Sequence, residues 1–422
     1  MKLHLREHNQ VSYQYIQTNQ FKSRIITVRF LAEIDKLNVT ARSLMISMLK
    51  AKNAKYPTRK AQSKYLESLY DAIYHAGPTK LASRHISQIS MVVIDDKYAM
   101  GQPVFEDALN FLNTAIFQPR FDEKTLQEEK QFLKDYFNAE FANKARYAGK
   151  RYAEHLYHDY PYKANALGEL KAIDKVTLED IEATYQNMIK ENQVYVTVIA
   201  PWEIEPTHQQ IVDYLPLSSK PIHTPIIIRH PFDRKEPVFE QENVSQERFF
   251  ITLKSDVLYR DKDYFTMLVL NALLGEGSDS LLFKHVRETH SLAYYVYSSY
   301  SPNTGLITLA SAMKHENLAI GEAKMLECFE WLKTGNFSNE ALSLAKKHII
   351  SQFKQSYDTP SGLSIRALRT ALFKVPFKED LLLDIIEAVG KEDITELAAQ
   401  LHVIFKYRLG GAQNADDNIR TV

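Results

Sequence analysis

The chain repeats itself in the order of its elements, and this constrains its fold more than any other feature. ITVRFLA, starting at Ile26, alternates like a strand, and FFITLKSD, starting at Phe249, is its counterpart. Each is followed by a helix-like run, ARSLMISMLK from Ala41 and YFTMLVLNALL from Tyr264. A second strand comes next, QISMVVI from Gln88 against LITLASA from Leu306. A helix pair then turns at Phe121-Asp122-Glu123 in one half and at Phe337-Ser338-Asn339 in the other. Finally, Glu179-Asp180-Ile181 matches Glu392-Asp393-Ile394 at the opening of a late helix. The last two offsets are 216 and 213 residues, and the first strands are offset by ~224. So regular an offset implies duplication of one α+β unit, an antiparallel or mixed sheet with helices packed on it.

Prolines mark where the copies part. Seven of the 15 fall at positions 201, 206, 216, 221, 225, 231 and 237, and proline removes a backbone donor and disfavours helix in the residue before it. The expected organisation is a first domain over 1–217, a proline-rich linker over 218–236 and a second domain over 237–422. Lys plus Arg and Asp plus Glu are each 52. A neutral chain has no bulk electrostatic reason to hold nucleic acid or an anionic membrane. The single cysteine, Cys328, cannot form an internal disulfide and favours a reducing compartment. The opening MKLHLREHNQ is charged and lacks an apolar stretch, so no secretory leader is expected and the protein reads as cytoplasmic. No run approaches ~18 uninterrupted apolar residues.

His4-Leu5-Arg6-Glu7-His8 reads H-x-x-E-H, an inverted zinc-peptidase signature. The signature works on a helix, where residues i and i+4 share a face and two imidazoles can share one ion. Here the flanks alternate in strand fashion. In a strand the two histidines stand about 13 Å apart, too far to chelate one ion, so the segment is expected to be the polar edge of a first strand. His155/His158 and His285/His290 lack a convincing third ligand. The Gly275-Glu276-Gly277-Ser278-Asp279-Ser280 run follows a helical pattern rather than a strand and reads as a helix–helix turn.

Three blocks in order carry a family resemblance: FQPRFDEKTLQEEKQFLKDYF from Phe117, YHDYPYKANALGELKAIDKVTLEDI from Tyr157 and LLFKHVRETHSLAYYVYSS from Leu281. With the duplicated core, they resemble the pitrilysin/insulinase-like zinc peptidases of the mitochondrial-processing-peptidase type, and most of all their short, paired bacterial members. The resemblance implies two homologous LuxS/MPP-like metallohydrolase domains arranged as a clamshell. In active members the zinc motif lies on the first long helix, upstream of a Tyr-Pro-Thr-like segment. Counting back from Tyr56-Pro57-Thr58 places Ser43 and Ser47 at the two histidines and Ile46 at the catalytic glutamate. The third ligand, seven residues after Glu129, falls on Tyr136.

Serine is a poor zinc donor beside imidazole, and isoleucine accepts no proton from water. Leu44, Met45, Ile46, Met48 and Leu49 instead make a helix apolar almost all round, suited to burial. No metal and no cofactor are expected at these degenerate positions. The resemblance implies that Arg287 and Tyr294 contact a substrate peptide, the guanidinium donating to carbonyls and the phenol to a developing oxyanion. It therefore implies a noncatalytic subunit, not active alone, that supplies this pair to a zinc-bearing sister subunit acting on a peptide or unfolded protein. A homodimer stays open. The alternatives are a proteolytically inactive peptide- or protein-binding scaffold and an active zinc peptidase using His4 and His8.

Overall fold

The structure, a computed structural model, describes residues 1–34, 37–201, 203–227, 229 and 232–411. Of the expected linker, positions 228, 230 and 231 lie outside the described residues. The described chain forms two compact units. Its first sheet comprises β1 (Lys2–His8), β2 (Val11–Gln17), β3 (Ser23–Glu33), β4 (Ile73–Leu81), β5 (Arg84–Ile94) and β6 (Gln193–Ala200), in the order β1-β2-β6-β3-β5-β4. All neighbours are antiparallel except β2 and β6. The helices of this half of the chain are α1 (Val39–Ala51), α2 (Arg59–Ser68), α3 (Val104–Phe117), α4 (Glu123–Ala142), α5 (Lys144–Leu156), α6 (Leu178–Glu191) and α7 (Ile204–Tyr214).

The second sheet comprises β7 (Val238–Gln241), β8 (Glu247–Lys254), β9 (Ala293–Ser301), β10 (Leu306–Met313) and β11 (His402–Gly410), in the order β7-β11-β8-β10-β9. Only β7 and β11 run parallel. The later helices are α8 (Tyr264–Gly275), α9 (Leu318–Thr334), α10 (Asn339–Tyr357), α11 (Pro360–Phe373), α12 (Glu379–Ala388) and α13 (Lys391–Ala399). The order β6-β3-β5-β4 in one sheet is therefore repeated as β11-β8-β10-β9 in the other. The fold class read from the sequence holds: two mixed, helix-covered sheets built from one repeated α+β plan. The repeated helix openings have a physical cause. Thr177 and Asp180 cap α6 reciprocally, and the Asp393 carboxylate accepts from the Gly390 amide at 2.7 Å at the head of α13.

Each unit is assembled from discontinuous segments. The first contains Met1–Glu140, Asp159–Ile226 and Asp358–Leu372; the second contains Phe141–His158, Ile227–Tyr357 and Phe373–Val422. Helix α11, late in sequence, thus packs in the first unit, where Leu368 meets Leu31, Ile86 and Tyr195. Helix α5, early in sequence, packs in the second unit. There the Tyr152 ring stacks on Phe250, and its hydroxyl lies 2.7 Å from Thr252 Oγ1 and 2.8 Å from Thr308 Oγ1. Each borrowed helix covers apolar strand surface that would otherwise meet water, which is the dominant favourable term in folding. β3 and β8 are accordingly buried almost along their whole lengths.

Candidate functional site

Helix α1 carries the positions at which the zinc motif was expected. Asn38 caps it, its side-chain oxygen accepting from the Ala41 amide. Ser43, Leu44, Met45, Ile46, Met48 and Leu49 are all at most 1% exposed, and Ser47 is half-buried. Tyr136 lies on α4 and is 45% exposed. Two hydroxyls, an isoleucine and a phenol are not a donor set for zinc. These residues do not fit the metal, and no metal-assisted step is assigned to α1. Among the described residues, no three His, Cys, Asp or Glu side chains converge as a metal would require.

What fills this region was only partly foreseen. Arg42, beside Ser43, is fully buried. Its guanidinium donates to Phe30 O at 2.9 Å, Asn192 Oδ1 at 2.6 Å and His85 Nδ1 at 3.1 Å. Among the described residues no carboxylate pairs with it, and burial pulls the guanidinium down to about 9. Because His85 Nδ1 accepts from Arg42, its Nε2 carries the proton and donates to Ala166 O at 2.8 Å. Burial, reinforced by the Arg42 charge, pulls this imidazole down to about 4. On α4, Glu129 is buried and paired with Arg59. Burial raises its carboxyl despite the opposing pull of Arg59. An arginine inside an apolar helical run was the one sequence signal for this network.

The H-x-x-E-H segment is strand β1, as its alternation implied, with His4 opposite Tyr15 and His8 opposite Val11. His155 lies on α5 and bonds Glu240 at 2.8 Å, whereas His158 lies beyond the end of that helix. The His285 and His290 rings are 4.7 Å apart, with His285 Nε2 3.0 Å from Glu327. Arg287 lies in a π-helical turn (Phe283–Thr289), exposed, with its guanidinium 4.8 Å from the centre of the Phe283 ring. Tyr294 is 70% exposed near the start of β9, an edge strand of its sheet. Both side chains are thus presented to solvent from the second unit, although large aromatic side chains are ordinarily mostly buried.

Two mixed sheets of repeated order, with no zinc donors at the expected positions, make the chain similar to the M16-type zinc metallopeptidases and their inactive homologues. Residues 175–349 match the family described as Peptidase M16 inactive domain. The chain is 28% identical over 417 residues, 97% of its length and 98% of the relative's, to "Probable inactive metalloprotease YmfF" of Bacillus subtilis (strain 168). Among solved structures it resembles a conserved protein from Enterococcus faecalis V583, with TM-score 0.89 and 25% identity over 97% of this chain and 98% of that one. It also shares the fold of a peptidase M16 inactive domain from Pseudomonas fluorescens, with TM-score 0.80 and 16% identity, covering 98% and 99% of the two chains. Among the described residues, no helix is long and apolar enough to cross a membrane.

Proposed function

We propose that this protein is the noncatalytic subunit of a heteromeric zinc peptidase, pairing with a sister chain that carries the zinc motif. The reading rests on one contrast. Of the α1 positions that would hold the zinc motif, Ser43 and Ile46 are sealed into the core, while Arg287 and Tyr294 stand exposed. Side chains kept in water and suited to peptide carbonyls are what a substrate-holding subunit needs. In this reading the sister hydrolyses a peptide or unfolded segment, and Arg287 and Tyr294 hold it. The pair works in a reducing compartment, the cytoplasm, where the buried thiol of Cys328 stays free.

The test is reconstitution. The chain alone should cleave nothing, the zinc-bearing sister should gain activity on mixing, and Arg287→Ala or Tyr294→Phe should abolish most of that gain. A sister fully active by itself, or a gain indifferent to both substitutions, would leave a binding scaffold of the same fold as the better reading.

A further inference from the structure

The glycine-containing loop after α8 closes one side of a cavity of about 140 Å³ in the second unit. Glu276, Gly277 and Ser280 line it from the loop, and Ala345 and His348 from α10. His348 Nε2 stands 3.7 Å from Glu276 Oε1. The Gln352 amide, one turn along α10, bridges them at 2.6 Å from Glu276 Oε1 and 3.0 Å from His348 Nε2. A side-chain amide presents nitrogen or oxygen at one place by turning over, so Gln352 can offer its oxygen there.

The three atoms then form a triangle with sides of 2.6, 3.0 and 3.7 Å. The circle through its corners has a radius of ~1.9 Å, just inside the ~2.0–2.1 Å bonds of zinc to nitrogen and oxygen. An ion at bonding distance from all three sits less than about 1 Å above their plane, with no ligand atom displaced. We propose that Glu276, His348 and Gln352 bind a divalent transition-metal ion of the zinc type, with cavity water completing its coordination.

The surroundings support the geometry. Asn271, 4% exposed, donates through Nδ2 to Glu276 Oε2 at 3.0 Å, which orients the carboxylate and leaves Oε1 for the ion. Its own Oδ1 is buried without a partner, an acceptor left for a water that enters with the metal. Gly277 has φ +93°, and a Cβ there would come within 3.2 Å of the His348 ring. Only glycine lets the loop lie against the imidazole at no cost. Asp279 is engaged by Lys284 at 3.1 Å and is not counted as a ligand. The site lies close to the second-unit counterpart of the degenerate zinc position. The 216-residue offset that aligns the two helix-pair turns carries Tyr136 onto Gln352.

The inference stands apart from the proposed function, because its readout is metal bound to the isolated chain. Isothermal titration with Zn²⁺, repeated with Co²⁺ to read its electronic spectrum, should find one equivalent bound. His348→Ala and Glu276→Gln should each weaken binding by about tenfold or more, and Gln352→Glu, which puts a carboxylate in the same place, should strengthen it by about tenfold. His290→Ala should leave it unchanged. The proposal is overturned if no ion binds, if His348→Ala binds as the parent does, if Gln352→Glu gains nothing, or if His290→Ala loses the ion.

Discussion

Helices α1 and α8 occupy equivalent places in the chain order of the two repeats, following the matching strands β3 and β8, and they have been filled in opposite ways. In α1 the positions at which a metal motif was expected are apolar or hydroxylic, with Ser43 and Ile46 closed over. The charge beside them, Arg42, is fully buried and donates to a carbonyl, an amide and a neutral imidazole. Helix α8 is just as apolar along its middle, but beyond its end Glu276, held by Asn271 of its last turns, lines a cavity shared with α10. A helix without metal donors need leave no hole, because an empty polar site costs more than a packed one. Polar groups persist where solvent and hydrogen-bonding partners still reach them.

The strongest way to break this comparison is to write the motif back into α1. Ser43→His, Ile46→Glu and Ser47→His together should not add a zinc site at α1, since Tyr136 offers no carboxylate. Ile46→Glu alone should cost about 4 kcal/mol or more, because Ile46 is 0% exposed and a carboxylate there would leave water. Urea unfolding and metal analysis check both halves. A second equivalent of zinc, beyond the one assigned to Glu276, His348 and Gln352, in a fully stable variant would mean that α1 still holds a latent site.

A smaller effect belongs to His85. Its folded pKa, about 4, lies below the ordinary 6.5, so between these values the unfolded chain takes up a proton that the folded chain refuses. This contribution is complete above about pH 6.5 and is lost as the pH falls toward 4, reaching about 3 kcal/mol. Arg42 and Lys80, the neighbouring cations, reinforce the depression. His85→Gln can keep both hydrogen bonds without titrating, so the difference between its acid unfolding curve and the parent's isolates the effect. Identical curves would mean that His85 is not held neutral.

Much of this architecture could be read directly from the residues. Alternation located β3, β5, β8 and β10, and turn residues located the α3–α4 and α9–α10 junctions, because these signals are local. The assignment of α5 and α11 to units was not readable. Each helix advertises an apolar face, but the surfaces that meet those faces, around Thr252 and Thr308 for Tyr152 and around Leu31 and Ile86 for Leu368, are 100 residues or more away. At the candidate sites, the missing zinc donors were visible as residue types. The partners of Arg42 and the meeting of Glu276 with His348 are tertiary facts. The H-x-x-E-H letters near the start show the converse: strand periodicity, not the motif, governed the local structure.

Helix α5 offers a sharper test of what a borrowed helix contributes. Tyr152→Phe keeps the stacked ring and removes only the hydroxyl bonds to Thr252 and Thr308. The expected loss is about 1–2 kcal/mol, with hydrogen exchange rising first in β8 and β10 rather than in the first sheet. Uniform loosening of both sheets would mean that the two units unfold as one.

The smallest expected change separates a binding role from a structural one. Tyr294→Phe removes one hydroxyl from a side chain 70% exposed, and Arg287→Ala removes an exposed cation that lies over the Phe283 ring. Each should therefore shift stability by less than about 1 kcal/mol. If both variants unfold like the parent yet fail to support the sister's activity, the pair acts through substrate. If either unfolds at markedly lower urea, any loss of activity belongs to the turn between α8 and β9, and the contrast between a sealed first site and an open second face loses its functional meaning.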